Sequence, residues 1–277
     1  MQSAFRQTYP MEIIVSDQGS KDRTLEVAKQ QAAGYTGRHK VTILECPETG
    51  HRGMAGLNSH LNWLHETIDH DVQISCSADD SSMPERTAKV IEAFEKTGAD
   101  MVMTQQLFVN PDMTPRGITA HPNKSGFVSV ADCIYQRVGG SSSCAWSRDF
   151  YKAAGPVPLL VGPDIYLPTL ACARRGLYFI HEPLHAYIEH AKAANTGLEG
   201  RMRAAAGNEA ELARLAELAC FQIGAGYLAV IKKMKQWDAK EELFTPVMDQ
   251  MMCQAVGWYE ARMTLTLGKI TPTNLEV

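Results

Sequence analysis

The sequence has little of what marks secreted, membrane-spanning or nucleic-acid-binding proteins. Its seven cysteines are scattered singly, which is typical of reduced thiols and not of a disulfide framework or a zinc site. The chain lacks an apolar run long enough to cross a bilayer, so no membrane span is expected. Its first residues do not resemble a signal peptide, and no basic block accompanies the net charge of -4. These absences predict a cytoplasmic protein that is not dedicated to nucleic acid.

The composition that is present is that of a globular chain. Its 277 residues, 45% apolar and 21% charged, suffice for one large core or for a core with a small helical appendage. From about residue 199 apolar residues recur at helical spacing. The sequence therefore predicts two parts, a domain at 1–197 and a helical C-terminal region at 198–277.

Strand and helix patterns alternate in the first part. Short apolar, β-branched runs predict strands at 12–16, 41–44, 72–76 and 100–104, with amphipathic helices between them. This order predicts an α/β fold with a mostly parallel sheet flanked by helices.

Two adjacent carboxylates, Asp79 and Asp80, follow the third predicted strand. Ligands of α/β proteins collect at the carboxyl edge of the sheet. Carboxylate oxygens there suit a divalent cation, which also takes phosphate and water oxygens. We therefore predict a site for a cation and a nucleotide diphosphate. The alternative is that the pair merely caps a helix or lies solvated in a turn. Ser82 and Glu85 have the spacing of a capping box, which predicts that a helix begins after the pair.

Four groups of residues, in a fixed order, resemble the motifs of one enzyme family. They are Gln7–Pro10 with Glu12–Asp22, Ser77–Asp80 with Met83–Arg86, Gly162–Asp164, and His181–Leu184 followed by His190. Each motif is weak alone, but their order is a strong signal. Over roughly residues 3–195 the chain resembles the family 2 glycosyltransferases, which have the GT-A fold. The resemblance implies an inverting, metal-dependent enzyme that moves a sugar from a nucleotide-sugar to an acceptor hydroxyl.

The resemblance also implies roles for single residues of these motifs. Asp80 would be the ligand of Mn2+ or Mg2+, and Asp79 would contact the ribose or share the metal. His190 would reach the diphosphate or the metal, with a purely structural role as its alternative. Asp164 would be the general base that takes the proton of the acceptor hydroxyl, and its alternative is an ordinary acidic residue in the first turn of a helix.

The nucleotide itself would be held by Asp17, Gln18 and Asn58. Gln18 stands where the family usually has Asp, but its carbonyl oxygen can still accept the N3–H of uracil, so a UDP-sugar is the expected donor. The alternative for Asp17 is a plain Asx-type turn, and Asn58 is expected to be an ordinary polar residue if it does not face the site.

Other residues admit two interpretations. Trp146 and Tyr151 would stack on an acceptor sugar or pack in the core. The apolar stripe around 247–263 is expected to be helix–helix core or a homodimer contact. The acceptor is expected to be a glycan or a lipid-linked sugar, with a modified base in DNA as an alternative disfavoured by the acidic charge.

The chain also departs from the family. Pro163 stands where Glu is common, and no Gln-x-x-Arg-Trp motif is present, so single transfer is expected rather than polymerisation. Two rival functions remain open: an inactive GT-A-like domain that binds nucleotide or a partner, and a nucleotidyltransferase, although 17–20 is a poor phosphate loop.

The largest departure is a first strand that precedes the first helix in the family. That strand would lie between the predicted strands at 12–16 and 72–76. Its absence would leave a vacancy of about twice the 4.8 Å strand spacing and two rows of unpaired backbone groups. We expect a filled vacancy, a sheet that closes up, or a chain that is a piece of a longer one. Residues 270–274 faintly resemble the missing segment, which makes a permuted strand a further alternative.

Overall fold

The structure is a computed structural model that describes residues 1–51, 53–119, 122–136, 141–188, 205 and 207–267, without the side chains of 141 and 263–267. The strands are β1 Glu12–Asp17, β2 Lys40–Glu45, β3 Val72–Ile74, β4 Ser81–Ser82, β5 Met101–Val109, β6 Pro115–Ile118, β7 Gly126–Val128, β8 Cys144–Ser147 and β9 Leu177–Ile188. The helices are α1 Gln2–Phe5, α2 Thr24–Ala33, α3 Gly53–Thr67, α4 Arg86–Thr97, α5 Val130–Tyr135, α6 Arg148–Ala154, α7 Pro163–Ala173, α8 Glu209–Gln236 and α9 Phe244–Leu267.

The strands form two separate sheets. β1 and β2 pair in parallel as a two-stranded sheet. The main sheet has the order β3-β8-β5-β9-β4, with β6 beside β5 and β7 beside β9. β5 and β9 are parallel, but β8 lies antiparallel between β3 and β5. The sheet is therefore mixed, because the irregular segment after β5 returns a strand to its middle.

Helices cover both faces of the main sheet. Successive side chains of β5 point to opposite faces, so Met101 and Val102 enter different cores. The larger core packs the sheet against α5, α6, α7 and α8, and includes Phe150, Leu170 and Val230. The smaller core packs the other face against α4. The predicted helix-flanked sheet is confirmed.

The space between the two sheets is a cavity of about 1330 Å³, which we call the slot. β1 and β3 line opposite sides of it, and α1, α2 and α4 contribute further walls. Within the described residues no strand pairs with the edge of β1 or β3 that faces the slot. Among the described residues the predicted vacancy is therefore present, and these two sheets do not close up around it.

The C-terminal part that the structure describes is a pair of long helices, α8 and α9. Their partners across the pair include Gln254 beside Gly224 and Cys220 beside Gly257. By length and composition alone α8 could cross a membrane, which the sequence had not led us to expect, and 28% of its most apolar stretch is buried. Residues 264–267 are helical, while 268–277 and the predicted boundary at 195–200 lie outside the described residues.

Candidate active site

Asp79 and Asp80 lie in the turn that follows β3, and burial separates them. The Asp80 N–H donates to the Ser77 carbonyl (3.1 Å) and closes the turn. Asp79 is exposed, whereas only 1% of the Asp80 side chain is accessible. The two carboxylates therefore face different surroundings although they are neighbours in sequence.

Asp80 holds the acidic turn against β9. Its Oδ1 accepts a hydrogen bond from the Ile188 N–H (3.1 Å), and its Oδ2 lies 3.1 Å from Nε2 of His185. Burial alone would raise the pKa of Asp80, but the hydrogen bonds from His185, Ser142 and the Ile188 amide outweigh burial and lower it. Asp80 is therefore ionised at neutral pH, with protein partners on both oxygens.

Arg86 reaches Asp80 through His185. The buried guanidinium donates to the carbonyls of Ser75 (2.8 Å) and Ser142 (2.9 Å) and to Nδ1 of His185 (3.2 Å). An arginine can only donate, so Nδ1 of His185 accepts and Nε2 carries the proton that points to Asp80. Burial lowers the pKa of His185, and the Arg86 charge adds to that effect. Arg86, neutral His185 and Asp80 thus form what we call the buried relay.

The helix after the acidic turn begins at Arg86, and the predicted capping box is wrong. Glu85 is the N-cap residue, but its side chain makes no capping hydrogen bond. Ser82 lies in β4 opposite His185, and its hydroxyl accepts from Arg86 (2.9 Å). The serine oxygen accepts a hydrogen bond from a buried guanidinium. A buried charge without hydrogen-bond partners costs more free energy than a helix end that water can solvate.

Asp17 ends β1 and closes an Asx-type turn. Its Oδ2 accepts from the N–H groups of Gly19 (2.9 Å) and Ser20 (3.0 Å), and its Oδ1 accepts from the Ser20 hydroxyl. Gly19 has φ 80°, a conformation that glycine adopts without steric penalty. The Ser20 hydroxyl is the largest cause that lowers the pKa of Asp17. The structure shows the turn that was the alternative interpretation, and a nucleotide contact of Asp17 stays a prediction.

α3 holds the turn after β1 in place. The Gln18 Nε2 donates to the carbonyl of Gly56 (2.8 Å), and the Ser16 hydroxyl lies 2.6 Å from Nε2 of His60. Gly56 and His60 are one helical turn apart, so one face of α3 fixes the end of β1 and its turn.

Asn58 contacts the loop that precedes α7. Its side chain is fully buried, and its Nδ2 lies 2.7 Å from the Val161 carbonyl, with two more carbonyls of the loop at 158–161 within reach. One turn later Asn62 donates to the Val157 carbonyl (2.9 Å) and accepts from the Val157 N–H (2.9 Å). α3 therefore positions the loop that leads into α7. The predicted nucleotide contact of Asn58 stays a prediction, and its contacts in the structure are with this loop.

Asp164 lies in the first turn of α7, directly after the loop that Asn58 holds. Gly162 is the N-cap and Pro163 the first helical residue, so the chain enters the helix without an orphaned N–H at that position. Asp164 is exposed, so its carboxylate is accessible to a ligand beside the loop that Asn58 holds.

Several predicted residues lie elsewhere. His190 is outside the described residues. Trp146 and Tyr151 are buried, with 4% and 8% of each accessible, and both contact His65, which accepts from the Trp146 indole (3.3 Å) and stacks on Tyr151. Core packing, the alternative interpretation, therefore describes them.

Sequence reasoning missed the buried relay. His185 and Arg86 are 99 positions apart, and nothing local indicates that they meet. The signals available in the sequence were an arginine soon after the acidic turn, Arg86, and a histidine after the fourth motif, His185. They would have suggested that the aspartates have a charged or polar partner, but not which residue it is.

The carboxylates of the acidic turn suit a cation whose remaining ligands come from phosphate and water. Among the described residues no cluster of three His, Cys, Asp or Glu side chains could hold a metal ion by itself. Mg2+ and Mn2+ in phosphate-binding sites are commonly held by one or two carboxylates, with phosphate and water completing the shell. The exposed Asp79, on a turn that the buried relay fixes, fits that kind of site.

Comparisons with known proteins give a family and a fold. The family model for glycosyl transferase family 2 matches residues 1–152. S. aureus TarS 1-349 in complex with UDP-GlcNAc is 13% identical with a TM-score of 0.57, over 97% of this chain and 86% of that chain. S. aureus TarS itself is 12% identical with a TM-score of 0.56, over 95% of this chain and 50% of that chain. A mannosyltransferase, PcManGT from Pyrobaculum calidifontis in complex with GDP-Man and Mn2+, is 17% identical with a TM-score of 0.47, over 97% and 82%. No curated protein matches. The TarS likenesses show a GT-A fold, as predicted.

Proposed function

The chain belongs to glycosyl transferase family 2, and from that premise we propose a metal-dependent, inverting transfer of a sugar from a UDP-sugar to an acceptor hydroxyl. The observation that supports this most directly is the acidic turn after β3, where the buried relay fixes Asp80 and leaves Asp79 exposed. A fixed carboxylate at the carboxyl end of a strand is where an α/β protein receives a charged ligand.

We assign the two aspartates different tasks. Both Asp80 oxygens already have protein partners, so in this proposal Asp80 holds the turn and Asp79 is the first carboxylate to meet the cation or the ribose. This exchanges the roles that the resemblance implied for the pair. When bound, the cation would neutralise charge on the diphosphate leaving group.

In this proposal the turn after β1 recognises the nucleobase of the donor. The Gln18 Nε2 is directed to the Gly56 carbonyl, so the amide presents its oxygen as the group that accepts. An acceptor suits the N3–H of uracil. S. aureus TarS binds UDP-GlcNAc, and a uridine donor is what we propose here.

Asp164 is the proposed general base. The acceptor hydroxyl attacks the anomeric carbon from the side opposite the diphosphate, its proton passes to the Asp164 carboxylate, and the bond electrons leave with the diphosphate. The loop at 158–161, which α3 holds through Asn58, fixes the approach to α7 and therefore the position of this carboxylate. The acceptor class, a glycan or another hydroxyl compound, stays a prediction.

Two further parts of the proposal concern the whole protein. α9 carries exposed apolar side chains at helical spacing, with Met248, Met252, Val256 and Tyr259 each about half exposed or more, which supports a homodimer through this helix. No disulfide joins the cysteines of the described residues, which supports a reducing compartment such as the cytoplasm.

A thermal-shift panel tests the proposed donor. UDP-, GDP-, dTDP- and ADP-sugars are each added with and without Mn2+, and we expect a metal-dependent rise in Tm with the uridine donors. Asp79→Asn should abolish that rise. It should change the Tm of the unliganded protein only slightly, as a surface substitution usually does. Asp80→Asn is the matched variant, and it should lower the Tm of the unliganded protein because Arg86 loses its counter-charge. No response to any donor would favour an inactive scaffold.

A further inference from the structure

Helix α3 is hydrogen-bonded both to the turn after β1 and to the loop at 157–161. On one face of the helix, the Gly56 carbonyl accepts a hydrogen bond from the Gln18 side chain (2.8 Å). Residues two apart in an α-helix are about 200° apart around its axis, so Asn58 points away from Gly56 and reaches the loop. One helix therefore contacts both the turn proposed to meet the nucleobase and the segment that leads to Asp164.

The contact with the turn after β1 leaves α3 little freedom to slide. The Ser16 hydroxyl lies 2.6 Å from Nε2 of His60, one helical turn after Gly56, so the helix is joined to β1 at two levels. A Cβ at Gly56 would lie 3.0 Å from the His51 carbonyl oxygen, so the first turn of α3 packs tightly against the chain before it. A displacement of Gln18 is therefore passed to the helix, because no gap beside the helix absorbs it.

The contact with the loop allows more than one arrangement. Nδ2 of Asn58 lies within hydrogen-bonding distance of three carbonyls, those of Pro158 (2.8 Å), Leu159 (3.1 Å) and Val161 (2.7 Å). A side-chain amide has two N–H donors, so three carbonyls compete for two hydrogen bonds. Oδ1 of Asn58 is buried without a partner among the described residues, so the loop alone orients this amide. The loop therefore has alternative arrangements that differ in which carbonyls are bonded.

Asn62 holds the first residue of the same loop one helical turn later. Its Nδ2 donates to the Val157 carbonyl, and its Oδ1 accepts from the Val157 N–H, both at 2.9 Å. The loop is therefore fixed at its first residue and adjustable at 158–161. Directly after it comes Gly162, the N-cap of the helix that carries Asp164 in its first turn. A change at 158–161 is therefore a change in the approach to Asp164.

We propose that Asn58 is a positioning residue through which the turn that meets the nucleobase adjusts the loop before Asp164. This inference rests on the proposed function and adds that the nucleobase acts on turnover as well as on donor affinity. A base that engages the oxygen of Gln18 fixes its amide on the Gly56 carbonyl, holds α3 and selects one arrangement of the three carbonyls. A misplacement of about 1 Å can lower a rate about 100-fold, so a small shift of the loop suffices.

Hydrogen exchange of the full chain tests this link, with UDP and Mn2+ as the probe. We expect UDP to slow exchange of the amides at 18–20 and also of those at 157–161. Gln18→Glu keeps an acceptor for the base but loses the N–H that the Gly56 carbonyl accepts. Because Gln18 is exposed, the variant should fold. In it UDP should still slow exchange at 18–20, while the response at 157–161 is lost.

Asn58→Ala cuts the link at its other end and should give the same result. Leu57→Ala changes an exposed neighbour in α3 and is the matched control, which should keep both responses. At saturating donor, Gln18→Glu and Asn58→Ala should each lower kcat on the order of 10-fold, which a loss of donor affinity alone would not do.

Three results would overturn the link. They are a response at 157–161 that survives in Gln18→Glu, a response that is absent at 157–161 in the parent while 18–20 responds, and an unchanged kcat in both variants. No response at either segment of the parent would overturn the proposed donor, and this inference with it. The pattern of exchange therefore distinguishes a failure of the link from a failure of the proposed function.

Discussion

His185→Ala removes the middle member of the buried relay, and we expect it to destabilise the protein strongly. The substitution leaves Arg86 and Asp80 buried without their connecting hydrogen bonds, since His185 contacts both and is fully inaccessible. Leaving a buried polar group without its partner costs about 1–3 kcal/mol of unfolding free energy, so the two lost hydrogen bonds together cost about 2–6 kcal/mol. At about 2–4 °C per kcal/mol for a chain of this size, Tm should fall by about 4–24 °C.

Urea unfolding followed by circular dichroism measures this difference, and two variants sharpen it. His185→Gln keeps one acceptor for Arg86 and one donor for Asp80, so it should recover part of the loss. His181→Ala changes a less buried histidine of the same strand, whose side chain has a longer contact to Gln105 (3.3 Å), and should stay within about 0.5 kcal/mol of the parent. The reasoning is refuted if His185→Ala is as stable as His181→Ala.

Three more predictions concern the base, the acid sensitivity and the assembly. Asp164→Asn should lower turnover about 10²–10⁴-fold while the donor-induced rise in Tm is kept; unchanged turnover would exclude Asp164 as the base. Burial lowers the pKa of His65 to about 3, so its neutral form contributes stability that is present above pH 6.5 and lost as pH falls from 6.5 towards 3. Between pH 6.5 and 3, His65 should lower the free energy of unfolding by up to about 1.4 kcal/mol per pH unit, and His65→Phe should lack this part of the fall. Urea unfolding at a series of pH values measures the free energy, and an equal pH dependence in the two proteins would contradict the prediction. Met252→Lys should convert the proposed dimer to monomer in light scattering, with Lys240→Glu as a surface control, and a dimer that survives would place the contact elsewhere.

The sequence predicted the repeating parts of the fold because those parts depend on local pattern. The β-branched run at 12–16 became β1, and the leucine spacing before residue 67 became α3. It also placed Asp17 and Asp80 at strand ends, since a turn follows a strand within a few residues. What it could not supply was any partner far along the chain.

The site shows this limit at specific residues. Asn58 was predicted to face the nucleotide, but its carbonyl partners lie 100 or more positions away. Ser82 has a local capping partner, yet it bonds to a guanidinium whose burial depends on β9 and the segment at 142. β8 enters the sheet antiparallel between β3 and β5, and its Trp146 contacts His65 of α3, neither of which could be inferred from alternation alone.

The polar face of α3 has a consequence for how the molecule comes apart. No backbone ladder joins the β1–β2 sheet to the main sheet among the described residues, so cooperativity between them depends on other bonds, including those of Gln18 and His60 at α3 and that of Gln7 to Thr87. A calorimetric trace of the intact protein would show one heat-absorption peak only while those bonds persist. Without these bonds the thermal unfolding would separate into two transitions. The turn of Asp17 would unfold in one of them while the turn of Asp80 remained folded.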